Sequence, residues 1–240
     1  MTSNAAIRVA LSDPSLGLDL QLVPEVPFRA SSNVMLLDPL RPAETPSEEF
    51  RTLRTRLEQL QSASAIRTVL VTSASPGEGK SFTAANLALA EAQLADNPTL
   101  LCDFDLRKPI LHSVFGIGRG PGISDYLLGK AELPEALRRI GDSNLFVMPA
   151  GEAVINPLGL LHLKEVRQLM DRLRNAFRWI LLDSPALLMA SDANLLAALA
   201  DGTLLVTRIG VTSTDSMGRA IASLGEDNIL GIVANGTQPG

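Results

Sequence analysis

The chain has 240 residues, 21 Lys and Arg against 26 Asp and Glu, and a formal net charge of −5. That balance supplies no attraction to nucleic acid, and no apolar run is long enough to span a bilayer. The single cysteine, Cys102, excludes an internal disulfide and fits a reducing compartment. The two histidines, His112 and His162, stand too far apart in sequence to suggest a metal pair. The start of the chain shows no charged segment leading into an apolar one, so a secretory signal is not expected and the location reads as cytoplasmic.

Residues 1–46 carry six of the fifteen prolines, Pro14, Pro24, Pro27, Pro39, Pro42 and Pro46. Prolines at that density break helices and central strands. This arm is expected to be largely irregular, with Val34-Met-Leu-Leu37 as a docking point, and the domain proper is expected over 47–240. Ser47 is a natural N-cap with acids behind it. Phe50, Leu53, Leu57 and Leu60 then mark one face of a helix. The apolar run Val69–Thr72 reads as a buried strand and is followed by Ala74-Ser-Pro-Gly-Glu-Gly-Lys80-Ser81 and a helix over about 80–95.

Strand, glycine loop, Lys-Ser and helix form the context that cradles phosphates, although the first pattern position holds Ala74 instead of glycine. The loop residues Pro76, Gly77, Glu78 and Gly79 turn backbone N–H groups inward, and the helix start, with Lys80, Ser81 and Phe82, presents its positive end. Lys80 is placed to neutralise the outer phosphates of a nucleotide, and the Ser81 hydroxyl to reach Mg²⁺. Beyond residue 67 strands and helices alternate. Strands are expected at 67–73, 98–103, 144–149, 179–183, 203–208 and 229–235, and helices near 80–95, 122–129, 133–139, 160–176, 191–200 and 214–224. The pattern predicts an α/β P-loop fold, a doubly wound, mainly parallel sheet with helices on both faces.

Ligands of such sheets bind beyond the carboxyl ends of the strands, which draws attention to two acidic strand ends. Leu100-Leu-Cys102 runs into Asp103-Phe-Asp105, and Trp179-Ile-Leu-Leu182 into Asp183. Asp183 reads as a Mg²⁺-binding Walker B aspartate. Asp103 and Asp105, two apart, point to one side and can divide Mg²⁺ binding from proton acceptance. The bland alternative is that they cap a turn or pair with Arg107.

Asp103-Phe-Asp-Leu-Arg-Lys-Pro109 resembles the second acidic motif of the bacterial tyrosine kinases of capsule and exopolysaccharide export. The resemblance continues through Pro121–Gly129, Met148-Pro-Ala-Gly151, Asn156-Pro-Leu158, Leu182-Asp-Ser-Pro185, Ser191-Asp-Ala193, Ala200-Asp-Gly202 and Leu204–Arg208, covering about 46–236. Related partition and septum-positioning ATPases carry a signature lysine where this chain has Ser75, which favours the kinase branch.

The resemblance implies ATP held by Pro76 to Phe82 and Mg²⁺ held by Ser81, Asp105 and Asp183, with Asn235 either at the adenine or closing a strand-end turn with Gly236. Lys80 and Asp103 are then catalytic, Asp103 taking the tyrosine proton. It also implies that Glu48, Arg51 and Arg54 meet a neighbouring subunit in a closed ring. A separate membrane polysaccharide co-polymerase would hold the chain at the inner face of the membrane, with proteins of polysaccharide synthesis as substrates and no nucleic acid. The family's clustered C-terminal tyrosines are missing, and the single tyrosine, Tyr126, reads as a packing residue. That departure keeps open a second reading, a non-kinase ATP switch acting on the co-polymerase.

Overall fold

The computed structural model describes residues 17–28, 36–37, 47–162 and 164–236. Its centre is an eight-stranded sheet in the order β1-β4-β5-β3-β6-β2-β7-β8. These strands are β1 (Glu25–Val26), β2 (Thr68–Ser73), β3 (Thr99–Asp103), β4 (Arg138–Ile140), β5 (Leu145–Met148), β6 (Trp179–Asp183), β7 (Gly202–Arg208) and β8 (Ile229–Asn235). Every neighbouring pair is parallel except β4 against β5.

Strands β2, β3, β5 and β6 are buried along their whole length, as helices on both faces require. Alternation divides their side chains between two cores. Leu70, Leu100 and Leu182 pack on one face with Ile123, Leu169 and Leu173. Val69, Val71, Leu101 and Leu181 pack on the other with Phe50, Leu57 and Leu87.

The helices are α1 (Ser47–Ser64), α2 (Lys80–Ala92), α3 (Leu111–Val114), α4 (Ile123–Leu127), α5 (Pro157–Leu161), α6 (Lys164–Ala176), α7 (Asp192–Ala197) and α8 (Thr214–Leu224). On α1 the expected stripe faces inward, with Phe50 and Leu57 buried and Leu53 and Leu60 packed at the core's edge. The P-loop helix α2 buries Ala84, Ala85, Ala88 and Ala90. Such small side chains let a helix lie close on a sheet.

Three expectations are corrected. The helix expected over 133–139 is a short 3-10 turn, Pro134–Ala136, followed by strand β4. Arg138 and Arg139 pair there with Val147 and Phe146, and the Arg139 N–H donates to Pro24 O at 2.9 Å. The helix expected over 160–176 is two. Asn156 caps α5 by accepting the Gly159 N–H at 3.0 Å, and α6 starts afresh at Lys164. Strand β1 and helix α3 have no counterpart among the expected elements.

The described parts of the proline-rich arm pack on the domain. Val26 pairs with Ile140, the Phe28 ring stands 6.3 Å from that of Phe115, and buried Leu37 donates its N–H to Asn86 Oδ1 at 2.7 Å. Of the expected docking stretch, Val34 and Met35 lie outside the described residues.

Candidate active site

The P-loop turns between β2 and α2 on two left-handed glycines, Gly77 at φ +80° and Gly79 at φ +99°, a region costly for other residues. The Thr83 N–H bonds back to Gly79 O at 2.8 Å. This leaves the N–H groups of Lys80, Ser81 and Phe82 in the first turn without an intrahelical acceptor, free to meet an anion.

Glu78, only 1% exposed, has a structural task within the loop. Its carboxylate accepts the Ser75 N–H at 2.9 Å and the Thr212 hydroxyl, so it closes the turn on itself and ties it to the β7–α8 connection. Asn235, at the end of β8, donates its amide to Glu78 O at 2.9 Å and accepts the Gly236 N–H at 2.8 Å. The side chain expected at the adenine is engaged on the loop backbone. Phe82 directs its ring away from the loop onto Phe50, at 5.8 Å and edge-on, so what it offers a phosphate is its backbone N–H.

The acidic strand ends converge on this loop because of register. Asp103 and Asp183 are Cα partners across β3 and β6, and Val71, one strand further, is Asp183's partner on β2. Both carboxyl groups are wholly buried. Asp103 Oδ2 accepts the N–H groups of Ile110 and Leu111, each at 3.0 Å, so this aspartate also anchors the start of α3. Its Oδ1 and both oxygens of Asp183 have no hydrogen-bond partner. Burial, with the Asp183 charge second, pushes Asp103 up to about 8.

Burial also raises Asp183, to about 6, against the pull of the Lys80 charge and the nearby Ser81 hydroxyl. Asp105 faces Lys80, with Oδ2 3.5 Å from Nζ, and its Oδ1 accepts the Lys108 N–H at 3.0 Å. Arg107 pairs with neither Asp103 nor Asp105. Its guanidinium grips Asp192 instead, Nε to Oδ2 at 2.8 Å and Nη2 to Oδ1 at 3.1 Å.

Three unpartnered, buried carboxylate oxygens beside a lysine, a hydroxyl and a row of free N–H groups suit a hard, oxygen-seeking cation held next to phosphates. Among the described residues no three His, Cys, Asp or Glu side chains form a ready-made cage. A cation that keeps several waters needs only one or two protein oxygens, as the unpartnered Asp183 carboxylate could supply.

Other expected features have structural tasks. Asp125 Oδ2 accepts the Gly122 and Glu152 N–H groups at 2.9 and 3.2 Å. A Cβ on Gly122 would lie 2.2 Å from Pro149 O, so the Pro121–Gly129 and Met148–Gly151 motifs form a tight loop contact. The Tyr126 hydroxyl accepts from Arg172 at 3.1 Å, part-buried. Cys102 is fully buried, and burial pushes its thiol up, as befits a core residue. On α1, Arg51 pairs with Glu48, while Arg54 donates to Ala90 O of α2 at 2.8 Å.

Thr212 and Asp192 are partners that the sequence reading did not assign. The only signal for Asp192 was its place in Ser191-Asp-Ala193, one of the stretches that resemble the tyrosine kinases.

A parallel sheet with a glycine loop feeding a helix at one strand end and carboxylates at the ends of two neighbouring strands defines a P-loop nucleotide-binding protein. The septum site-determining protein MinD of Pyrococcus horikoshii, solved with Mg-ADP, shares this fold at a TM-score of 0.58 and 22% identity, over 69% of this chain and 67% of that one. No family model matches the chain.

Among curated proteins, it is 35% identical over 210 residues to the tyrosine-protein kinase YwqD of Bacillus subtilis, covering 87% of each. It is 30% identical over 213 residues to the tyrosine-protein kinase Etk of Escherichia coli, covering 88% of this chain and 28% of the longer Etk. The solved kinase domain of Etk superposes at a TM-score of 0.77 with 28% identity, over 89% of both chains. The chain belongs to the bacterial tyrosine-protein kinase family.

Proposed function

We propose that this chain transfers the γ-phosphoryl group of ATP to tyrosine hydroxyls of other proteins, with Mg²⁺. The observation that carries the reading is the meeting of Lys80, Ser81, Asp103, Asp105 and Asp183 at adjacent strand ends. Phosphoryl transfer is mainly positioning and charge stabilisation. In this reading the loop N–H groups and Lys80 hold the phosphates, and Ser81, Asp105 and Asp183 hold the metal. Bound Mg²⁺ would offset the negative charge on the transferring oxygens.

Asp103 takes the tyrosine proton through Oδ1, the oxygen not committed to α3. Burial and the Asp183 charge raise its affinity for a proton, the direction a proton acceptor needs. Tyr126, hydrogen-bonded and part-buried, is a poor acceptor, so substrates are sought in other proteins.

The motif resemblance supports a role in capsule or exopolysaccharide synthesis, in a ring of subunits docked on a membrane co-polymerase. The test is phosphotyrosine formation on a tyrosine-bearing acceptor with labelled ATP and Mg²⁺. Transfer that vanishes in Lys80→Met and in Asp103→Asn supports the reading. ATP binding with no transfer to a panel of acceptors refutes it in favour of an ATP switch.

A further inference from the structure

Asp192 opens α7, 1% exposed, and its carboxylate is held side-on by an arginine whose side chain is 47% exposed. Its partner comes from 85 residues earlier in the chain. Arg107 lies in the loop after β3 that carries Asp105, and Asp192 ends the connection that leaves β6 after Asp183. The bridge therefore clamps together the two loops that follow the acidic strand ends. Leu106, next to Arg107 in the chain, is buried in the same apolar core as Leu196 of α7.

The clamp matters because acidic groups are crowded here. Asp103 and Asp183 stand in register without solvent, Asp105 is close by, and any two of them that carry charge together repel. A part-buried ion pair contributes little net stability, since desolvating the carboxylate offsets the attraction. What the side-on fork supplies is orientation, because a planar guanidinium and a carboxylate lock in one geometry. Asp192, and more distantly Asp105, hold the guanidinium still more firmly protonated, so the lock persists at any physiological pH.

We propose that the Arg107–Asp192 pair is a positioning device that sets the Asp105 loop against Asp183 for Mg²⁺-nucleotide. This rests on the kinase reading for its chemistry. Neither residue is placed on substrate; both act through Asp105 and its neighbours. Outer contacts of this kind usually shift metal affinity or activity by about 10–100-fold.

The experiment compares wild type with Arg107→Ala, Arg107→Lys and Asp192→Asn. It measures Mg²⁺ titrations of transfer to a tyrosine-bearing acceptor, binding of a fluorescent ATP analogue with Mg²⁺ and with EDTA, and thermal unfolding. The Mg²⁺ concentration for half-maximal transfer should rise about tenfold in Arg107→Ala and Asp192→Asn, with kcat down at least tenfold. The ATP KM and the binding in EDTA should move less than about twofold. Arg107→Lys, with charge but no fork, should fall between, and millimolar guanidinium should restore part of the activity of Arg107→Ala through its half-open position.

Unchanged Mg²⁺ dependence overturns the proposal, and so does a loss that merely follows a lower unfolding temperature and weaker binding in EDTA. If wild type transfers no phosphate, the kinase reading fails by itself. The Mg²⁺-linked part of nucleotide binding then still decides the positioning claim in either direction.

Discussion

Asp103 stands beside Asp183 with neither carboxyl exposed, and that arrangement opposes stability to function. Its carboxyl lies near 3.8 in the unfolded chain and is pushed up to about 8 in the fold, first by burial and then by the Asp183 charge. Between those values the folded state binds the extra proton, so the stability tied to it is present at low pH and lost as pH rises towards and through 8. Asparagine at 103 keeps an oxygen for the Ile110 and Leu111 N–H groups and cannot ionise. Asp103→Asn should therefore unfold at a higher temperature than wild type at pH 9, with the gap closing towards pH 5, while losing phosphoryl transfer. Equal unfolding temperatures at pH 9 would show that the repulsion does not load the fold.

Between elements the same physics recurs away from the nucleotide, where α1, α2 and β6 meet. Glu91 on α2 is fully buried and its Oε1 has no partner. Glu58 on α1 accepts the Trp179 indole N–H at 2.9 Å. Burial and then the Glu58 charge push Glu91 from 4.5 up to about 8. The stability it carries is again present below pH 4.5 and lost as pH climbs through 8. Glu91→Gln should flatten the fall of unfolding temperature between pH 5 and 9, read as the difference from wild type so that Asp103 cancels. A parallel pair of curves would sink this assignment.

Neither pair is written locally in the sequence, and this explains what could be read there. The β2–α2 loop is one continuous stretch, and β3 and β6 are apolar runs that end in aspartates, so fold class and phosphate cradle were legible. Strand β4 was not. Arg138 and Arg139 follow helix-forming Glu135 and Ala136, and they are strand residues only because β5 and the arm supply partners. Likewise the buttress of Glu78 comes from Thr212, 134 residues away, a distance that no motif spans.

For the whole molecule, the ring expectation turns on the outer face of α1, where the three residues of one motif prove unequal. Arg54 is spent within the chain, tying α1 to the carbonyl of Ala90. The Arg51 side chain is 29% exposed and pairs with Glu48, itself 79% exposed, a surface pair worth about 0–1 kcal/mol. Only Glu48 and Arg51 are therefore available to a second subunit at small cost to the fold. Arg54→Ala should lower the unfolding temperature by loosening α1 from α2, which makes it a poor probe of assembly.

Arg51→Glu sets a like charge three residues from Glu48, a few tenths of a kcal/mol on an exposed helix, and leaves the core untouched. A head-to-tail interface uses the same residue at every contact of the ring, so one reversal is repeated around it. Light scattering should accordingly show wild type as an oligomer and Arg51→Glu near the monomer mass, with the far-UV circular dichroism of the folded chain retained and the unfolding temperature lowered only as loss of association requires. A monomeric wild type, or an oligomer that Arg51→Glu leaves intact, would remove α1 from the assembly of this protein.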